Sequence, residues 1–230
     1  MRPALPVLLS LTGGYVDTAG FLALGGLFPA HVTGNFVTLG AALTHGTSGI
    51  IAKLLALPVF CLTVLALRYL THNVPPGDEK GLRTLLVIKL VFLIAGGACA
   101  IWLSPFTNPD GLPLVATGML LIIAMAIQNA AHRIHLGAAP PSTLMTGTTT
   151  QIMIDLADLA HGSAGDQTKP VKSRLSHMVV AVFAFALGCG LAALLYATVG
   201  AWCFALPPLF ALVSVCVAFA VRKLPEVSRA

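Results

Sequence analysis

The sequence predicts an all-α polytopic membrane protein: six transmembrane helices plus two re-entrant half-helices in a 3+3 inverted repeat. Three observations predict it. Of the 230 residues, 57% are hydrophobic and only 9% are charged, whereas about a quarter of a soluble domain is charged, so a hydrated globular surface is out of reach. The apolar residues gather in stretches of about 20, the length that crosses a hydrocarbon core. The two short polar-apolar segments between the spans each carry a Thr-Gly pair, Thr33-Gly34 and Thr146-Gly147, at matching places in the two halves.

Six stretches are long enough to cross: 5–27, 49–70, 82–103, 112–131, 176–199 and 202–221. The first follows Met1-Arg2-Pro3 in the manner of a signal peptide. It lacks an A-x-A-type cleavage site and runs on through Gly13, Gly14 and Asp17, so it reads as a retained span. Two further segments, 28–43 and 136–160, have a helical apolar pattern but are too short or too polar to cross.

Basic residues assign the loops to sides. Arg2, Arg68, Lys80 and Arg83, Lys169, Lys172 and Arg174, and finally Arg222, Lys223 and Arg229 fall on one side, while 105–111 and 199–201 contain no Lys or Arg. The positive-inside rule makes the first side cytoplasmic and puts both termini there, in a bacterial inner membrane. The net charge of +5 has this explanation rather than nucleic-acid binding, because the cations are scattered between apolar stretches. With the sides fixed, 28–43 enters and leaves from outside and 136–160 from the cytoplasm. Irregular backbone at membrane depth is tolerated only where protein buries it or where it lines a water-filled cavity.

The two re-entrant segments echo one another. Leu24-Gly25, Pro29 and Val32-Thr33-Gly34-Asn35 match Leu136-Gly137, Pro140-Pro141 and Met145-Thr146-Gly147-Thr148, and a one-residue gap sets Asp17 opposite Asn129. Each half therefore reads span, half-helix, span, span. Residues 1–104 form the first repeat and 105–230 the second, within one integrated membrane domain. Three spans per half invert the second copy.

Thr33 and Thr146 stand where N-caps would stand, and the following glycine permits close backbone approach. Opposed helix N-termini at the midplane favour an anion or the negative end of a polar solute. Tight Thr-Gly helix crossing is the plainer alternative. Asp17 lies deep in the first span, where an ionisable group is costly, so it is functional or paired: a proton-coupling group, a cation ligand or the partner of Arg133. Asn129 and Arg133 share a helix face and suit a carboxylate, in a solute or in Asp17. Arg133 as a mere cytoplasmic anchor is the rival reading. His31 at the mouth of the outer half-helix is a candidate gate. His132 and His135 read as interfacial, and Lys53 and Lys89 as snorkelling cations.

The five cysteines form no C-x-x-C pair and no metal spacing, so they read as small buried hydrophobes. Gly188-Cys189-Gly190 lacks the strand context of a dinucleotide loop. With Ala193, these glycines suit either a homodimer face or packing within one protomer. There is no P-loop, H-E-x-x-H or G-x-S-x-G, so no enzyme activity, cofactor or metal is expected.

Gly14-Tyr15-Val16-Asp17, Phe21, Gly25-Gly26, Phe28 and His31-Val32-Thr33-Gly34-Asn35, with Gln128-Asn129-Ala130 and Thr143-Leu144-Met145-Thr146-Gly147-Thr148 in the second half, resemble the signatures of the YoaK-type bacterial membrane-protein family, a domain of unknown function. The resemblance covers most of the chain and implies a small polytopic inner-membrane protein without a settled activity. The expected function is a transporter or channel for a small polar or anionic solute. The solute would lie at the midplane among Asp17, His31, Thr33, Gly34, Asn35, Asn129, Arg133, Thr146, Gly147 and Thr148. The alternative is a non-transporting structural or assembly protein whose half-helices only pack. The partners expected are that solute, the lipid bilayer and a second copy, with no nucleic acid.

Overall fold

The computed structural model describes residues 4–45, 49–162, 165 and 168–220. Arg2, Arg222, Lys223 and Arg229, which the side assignment used, lie outside the described residues. Among the described residues the structure is helical throughout: α1 (Ala4–Ala23), α2 (Gly34–His45), α3 (Ile50–Leu70), α4 (Glu79–Leu103), α5 (Leu112–His135), α6 (Met145–Ala160), α7 (Thr168–Val199) and α8 (Leu206–Ala220), the last two joined by a 3-10 stretch, Gly200–Ala205. By length and composition five of these stretches suffice to cross a membrane: α1, α3, α4, α5 and the run 168–220 that holds α7 and α8.

The helix ends follow local chemistry. Asp78 caps α4, its carboxylate accepting from the Gly81 N–H at 2.7 Å, and α5 opens with Pro113 in its first turn, where a missing N–H costs nothing. The first helix stops at Ala23, four residues short of the span read from the apolar run. There Gly25 and Gly26 take φ values of 63° and 81°, a left-handed turn that side chains with a Cβ resist, and the Gly26 N–H returns to the Phe21 carbonyl at 3.0 Å. The apolar run continues past this turn because the chain folds back into the protein. Conversely α7 begins eight residues before the stretch 176–199, its first turns carrying Lys169, Lys172 and Arg174.

Two apolar clusters mark the two ends of the bundle. One gathers Leu5, Leu9, Leu67, Leu82, Ile127 and Ala218, and the other Leu27, Ala52, Ala100, Leu114, Phe204 and Ala211. The start of α1 is thus level with the end of α3, the start of α4 and the ends of α5 and α8. The start of α7 lies beside Pro6 and Val7 of α1, while its Ala192 belongs to the second cluster. So α7 runs parallel to α1 and α8 runs against it.

The two central helices, α1 and α5, touch one another. Helix α1 also packs on α7 and α8, α5 on α3 and α4, α4 on α8, α2 on α3, and α6 on α7. The α1–α7 crossing is close because Gly14 faces the Phe185 carbonyl and Gly188 faces the Leu11 carbonyl, with no room for a Cβ at either glycine. Gly188 is therefore an intramolecular packing residue rather than part of a homodimer face; a Cβ on Gly190 would meet open space.

Candidate functional site

Asp17 sits on α1 two turns before its end and is 4% exposed. Its Oδ1 accepts the backbone N–H of Ala30 at 2.6 Å and of His31 at 3.1 Å. These residues belong to the loop that folds back after the Gly25-Gly26 turn, so the carboxylate fixes how deep that loop reaches. Pro29 packs on Gly20, where a Cβ would stand 2.7 Å from its Cδ. Below it the loop closes on itself through Asn35: Oδ1 accepts the Phe28 N–H at 2.9 Å, and Nδ2 donates to the carbonyls of Phe28 at 2.9 Å and Val32 at 3.0 Å. Helix α2 starts from this lock, directly after Thr33.

The loop between α5 and α6 is built by the same plan with different groups. Asn129 on α5 accepts from the Thr143 hydroxyl at 2.7 Å and donates to the Met125 carbonyl at 3.0 Å. One turn on, His132 Nε2 meets the Ala139 carbonyl at 3.2 Å. Gln128 donates to the Leu9 carbonyl at 2.9 Å and to the Ser142 hydroxyl at 3.2 Å, and its Oε1 accepts from Lys89 at 2.6 Å. The loop tip presses on α1, since a Cβ on Gly13 would lie 2.9 Å from the Ser142 carbonyl oxygen. Gly13 and Asp17 are one helical turn apart, so both loops rest on the same stretch of α1.

Beneath the tip of this loop lies a cavity of 120 Å³ whose lining includes Asn129, His132, Arg133, Ser142, Thr143 and Leu144. His132 is 7% exposed, and its Nδ1 has no partner among the described residues. The outward face of α6, with Thr146, Thr149, Thr150 and Met153, borders a shallower groove of 720 Å³.

The structure redistributes the ten residues expected to form one site. Asn129 and Arg133 do line one cavity. Asp17 Oδ1 is held by backbone N–H groups, and no ion pair joins Asp17 to Arg133 among the described residues. Asn35 is buried and committed to the loop lock, and Thr148 is buried with its hydroxyl bonded back to the Leu144 carbonyl at 3.1 Å. His31 and Thr33 are exposed, and Gly34 is half-buried against the Phe28 ring. Thr146 and Gly147 are exposed on the first turn of α6. Thr146 is not the N-cap: Leu144 holds that position, with no side-chain cap, because the anchoring of Ser142 and Thr143 lets the helix start two residues earlier. The half-helices themselves do not pack on one another.

Three residues were misjudged from sequence. Lys89, expected to snorkel, is fully buried, and Lys53 is 6% exposed. His132, expected at the interface, lines the cavity. The run Gln128-Asn129 inside an apolar helix was the available signal, since two adjacent amides at such depth need partners from elsewhere.

In the loop before α5 the half-buried Asp110 accepts the N–H groups of Ile51 and Gly49, each at 3.0 Å. These bonds hold its carboxyl below the usual carboxylate range.

The model of a family described as protein of unknown function (DUF1275) matches residues 5–217. The UPF0700 transmembrane protein YoaK of Bacillus subtilis (strain 168) is 32% identical over 163 residues, 68% of this chain and 68% of that protein. No solved structure matches.

Proposed function

The chain belongs to this family of membrane proteins of unknown function, and from that premise we propose that it is a carrier or channel for a small polar, anionic solute. In this reading α1, α3, α4, α5, α7 and α8 cross the bilayer, with the Leu5 end cytoplasmic. The half-helices α2 and α6 re-enter from opposite faces, and 1–104 and 105–230 are inverted repeats. Exchanging α1 with α5, α2 with α6, α3 with α7 and α4 with α8 turns the set of helix pairs in contact into itself, as an inverted repeat requires. The polar residues Asp17 and Asn129, aligned by the repeat, each hold the residue three before their own Thr-Gly pair.

The observation that carries the functional reading is the cavity of 120 Å³ under the inner tip. Its lining includes Asn129, the buried His132 and the exposed Arg133, three polar residues in the last two turns of α5. Backbone that leaves helical form at depth and borders such a cavity is the arrangement by which transporters bind polar solutes.

Two measurements test it. Single cysteines replacing Thr33 and Thr146, both exposed, in a background without the five native cysteines should be labelled by an impermeant thiol reagent from outside and from the cytoplasm respectively. Labelling of both from one face ends the inverted-repeat reading. Proteoliposomes should take up a labelled small carboxylate, and Arg133→Gln should reduce the flux at least tenfold without lowering the melting temperature. Equal flux in empty liposomes ends the carrier reading. One observation favours the structural alternative for the outer half alone: Asp17 and Asn35 spend their hydrogen bonds on the chain itself.

A further inference from the structure

We propose that the groove between the starts of α1 and α7 and the α5–α6 loop is a binding site for one anionic phospholipid of the surrounding membrane, its phosphate resting on Arg174 and one acyl chain running along the apolar wall toward Ala181. The site needs only the membrane setting of the family, and it stands or falls apart from any solute transport.

The two ends of the groove differ in chemistry. Ser173, Arg174 and His177, within about one turn of α7, line one end, and Met178, Val180 and Ala181 continue the lining along the same helix. Pro6 and Val7 of α1 and Pro140 of the loop complete the apolar part. From Arg174 to Ala181 the helix rises about 10 Å. A ligand that fills the groove is therefore polar at one end and hydrocarbon at the other. Ala181 is buried at the deep end, while Val180 is 47% exposed, so the apolar stretch is reached from the surface of the bundle, where lipid chains lie. The volume is 620 Å³, about twenty times the share of liquid volume taken by one water. A phosphate ion alone leaves most of that space empty, whereas a head group with part of one chain fills it.

The sign of the head group follows from the charges around the polar end. None of the lining residues is Asp or Glu, and neither 4–10 of α1 nor 136–144 of the loop carries a charge. On α6, Asp155 and Asp158 act on Arg174, and they are outnumbered by Lys169, Lys172 and Arg174 in the first turns of α7. Asp155 takes Nε at 3.0 Å and Nη2 at 2.6 Å. That bond pair fixes the plane of the half-exposed guanidinium and leaves both hydrogens of Nη1 for a phosphate oxygen. Arg68, Lys80 and Arg83 stand at the same end of the bundle, and a basic end between membrane helices attracts anionic lipid.

The test is native mass spectrometry of the full chain in detergent, offered equal amounts of phosphatidylglycerol and phosphatidylcholine with the same chains. One phosphatidylglycerol should be retained in preference, by roughly fivefold or more. Val180→Trp, which fills the groove from its exposed rim, should abolish that retention. Arg174→Gln should remove the preference, while Asp155→Asn, which breaks the same clamp and keeps the guanidinium, should preserve it. Should Arg174→Gln fail to fold, Val180→Trp with Asp155→Asn still decides. Equal retention of the two lipids, a preference that Val180→Trp leaves intact, or its loss in Asp155→Asn overturns the site. Displacement of the lipid by millimolar inorganic phosphate overturns the acyl-chain half, since free phosphate would then be the ligand. A dimer that retains no lipid and that Val180→Trp dissociates makes a second copy the occupant and overturns the proposal as well.

Discussion

The loop after α1 and the loop after α5 share a plan and differ in how their polar groups are used; the proposed topology makes them the outer and inner loops. In the first, two left-handed glycines turn the chain back, Asp17 takes two backbone N–H groups, and all three hydrogen bonds shown for the Asn35 side chain close within the loop. In the other loop a side-chain pair, Asn129 with Thr143, takes the place of the carboxylate, and the loop borders a cavity lined in part by the exposed Arg133 and by His132, whose buried Nδ1 has no partner among the described residues. Both backbone N–H groups go to one oxygen of the Asp17 carboxylate, which ties that loop to α1. The Asn129 amide bonds one hydroxyl and one carbonyl and borders the cavity. In the proposed reading the same topology yields a lock on one side and a receptacle on the other.

Replacing the two anchors should separate them most. Asp17→Ala leaves two buried N–H groups unmade and should cost about 3–5 kcal/mol, whereas Asn129→Ala, which breaks a side-chain pair, should cost about 1–2 kcal/mol. Thermal melts in one detergent compare them, and equal losses would erase the distinction between lock and receptacle. Next in size is the α1–α7 crossing. Gly188→Ala drives a methyl into the Leu11 carbonyl and should cost about 1–3 kcal/mol, while Gly118→Ala meets only the far end of the Leu27 side chain and should cost less. A larger loss at Gly118 would mean that α5, not α1, is the rigid member of the central pair.

A smaller effect belongs to the inner half-helix, which is clamped to α7 where Arg174 reaches the buried Asp155 through Nε at 3.0 Å and Nη2 at 2.6 Å. The guanidinium is half exposed, so Asp155→Asn should cost only about 1 kcal/mol. Hydrogen exchange should quicken in α6 and stay unchanged in α2; quickening in both would show the halves to be mechanically joined. The smallest effect is at Asp110. Its carboxyl is held below the usual range by the Gly49 and Ile51 N–H groups, so its contribution is complete above the ordinary carboxylate value of about 4. It is lost as pH falls through the lowered folded value. The difference in melting temperature between the native chain and Asp110→Ala should therefore be present at neutral pH and shrink in strong acid.

The long apolar stretches were legible because burial in lipid and helix length are properties of a local run. Asp17 and Asn129, set opposite one another in the sequence, each hold a residue of the loop that follows, although the groups they hold were not legible. Lys89 shows why. Its partner Gln128 lies 39 positions away, and nothing in an apolar run reveals whether a lysine reaches back to the headgroups or sideways to an amide. Thr146 failed as a cap for a related reason: threonine suits the first turn as well as the cap, and the start of α6 is set by Ser142 and Thr143 against α1 and α5. Asn35 looked available for a solute because its loop, which consumes it, exists only once the chain has turned at Gly25 and Gly26.

Both loop tips rest on α1 within a single helical turn, at Gly13 and at Asp17. In a carrier that water reaches from both faces, the insulating layer at that point would be about 6 Å of protein, the rise of four helical residues, in place of a hydrocarbon core about 30 Å thick. Most of a transmembrane voltage would then fall across that septum. A solute charge moving the width of one turn of α1 would do nearly the full electrical work of crossing the membrane, about 2.3 kcal/mol per 100 mV.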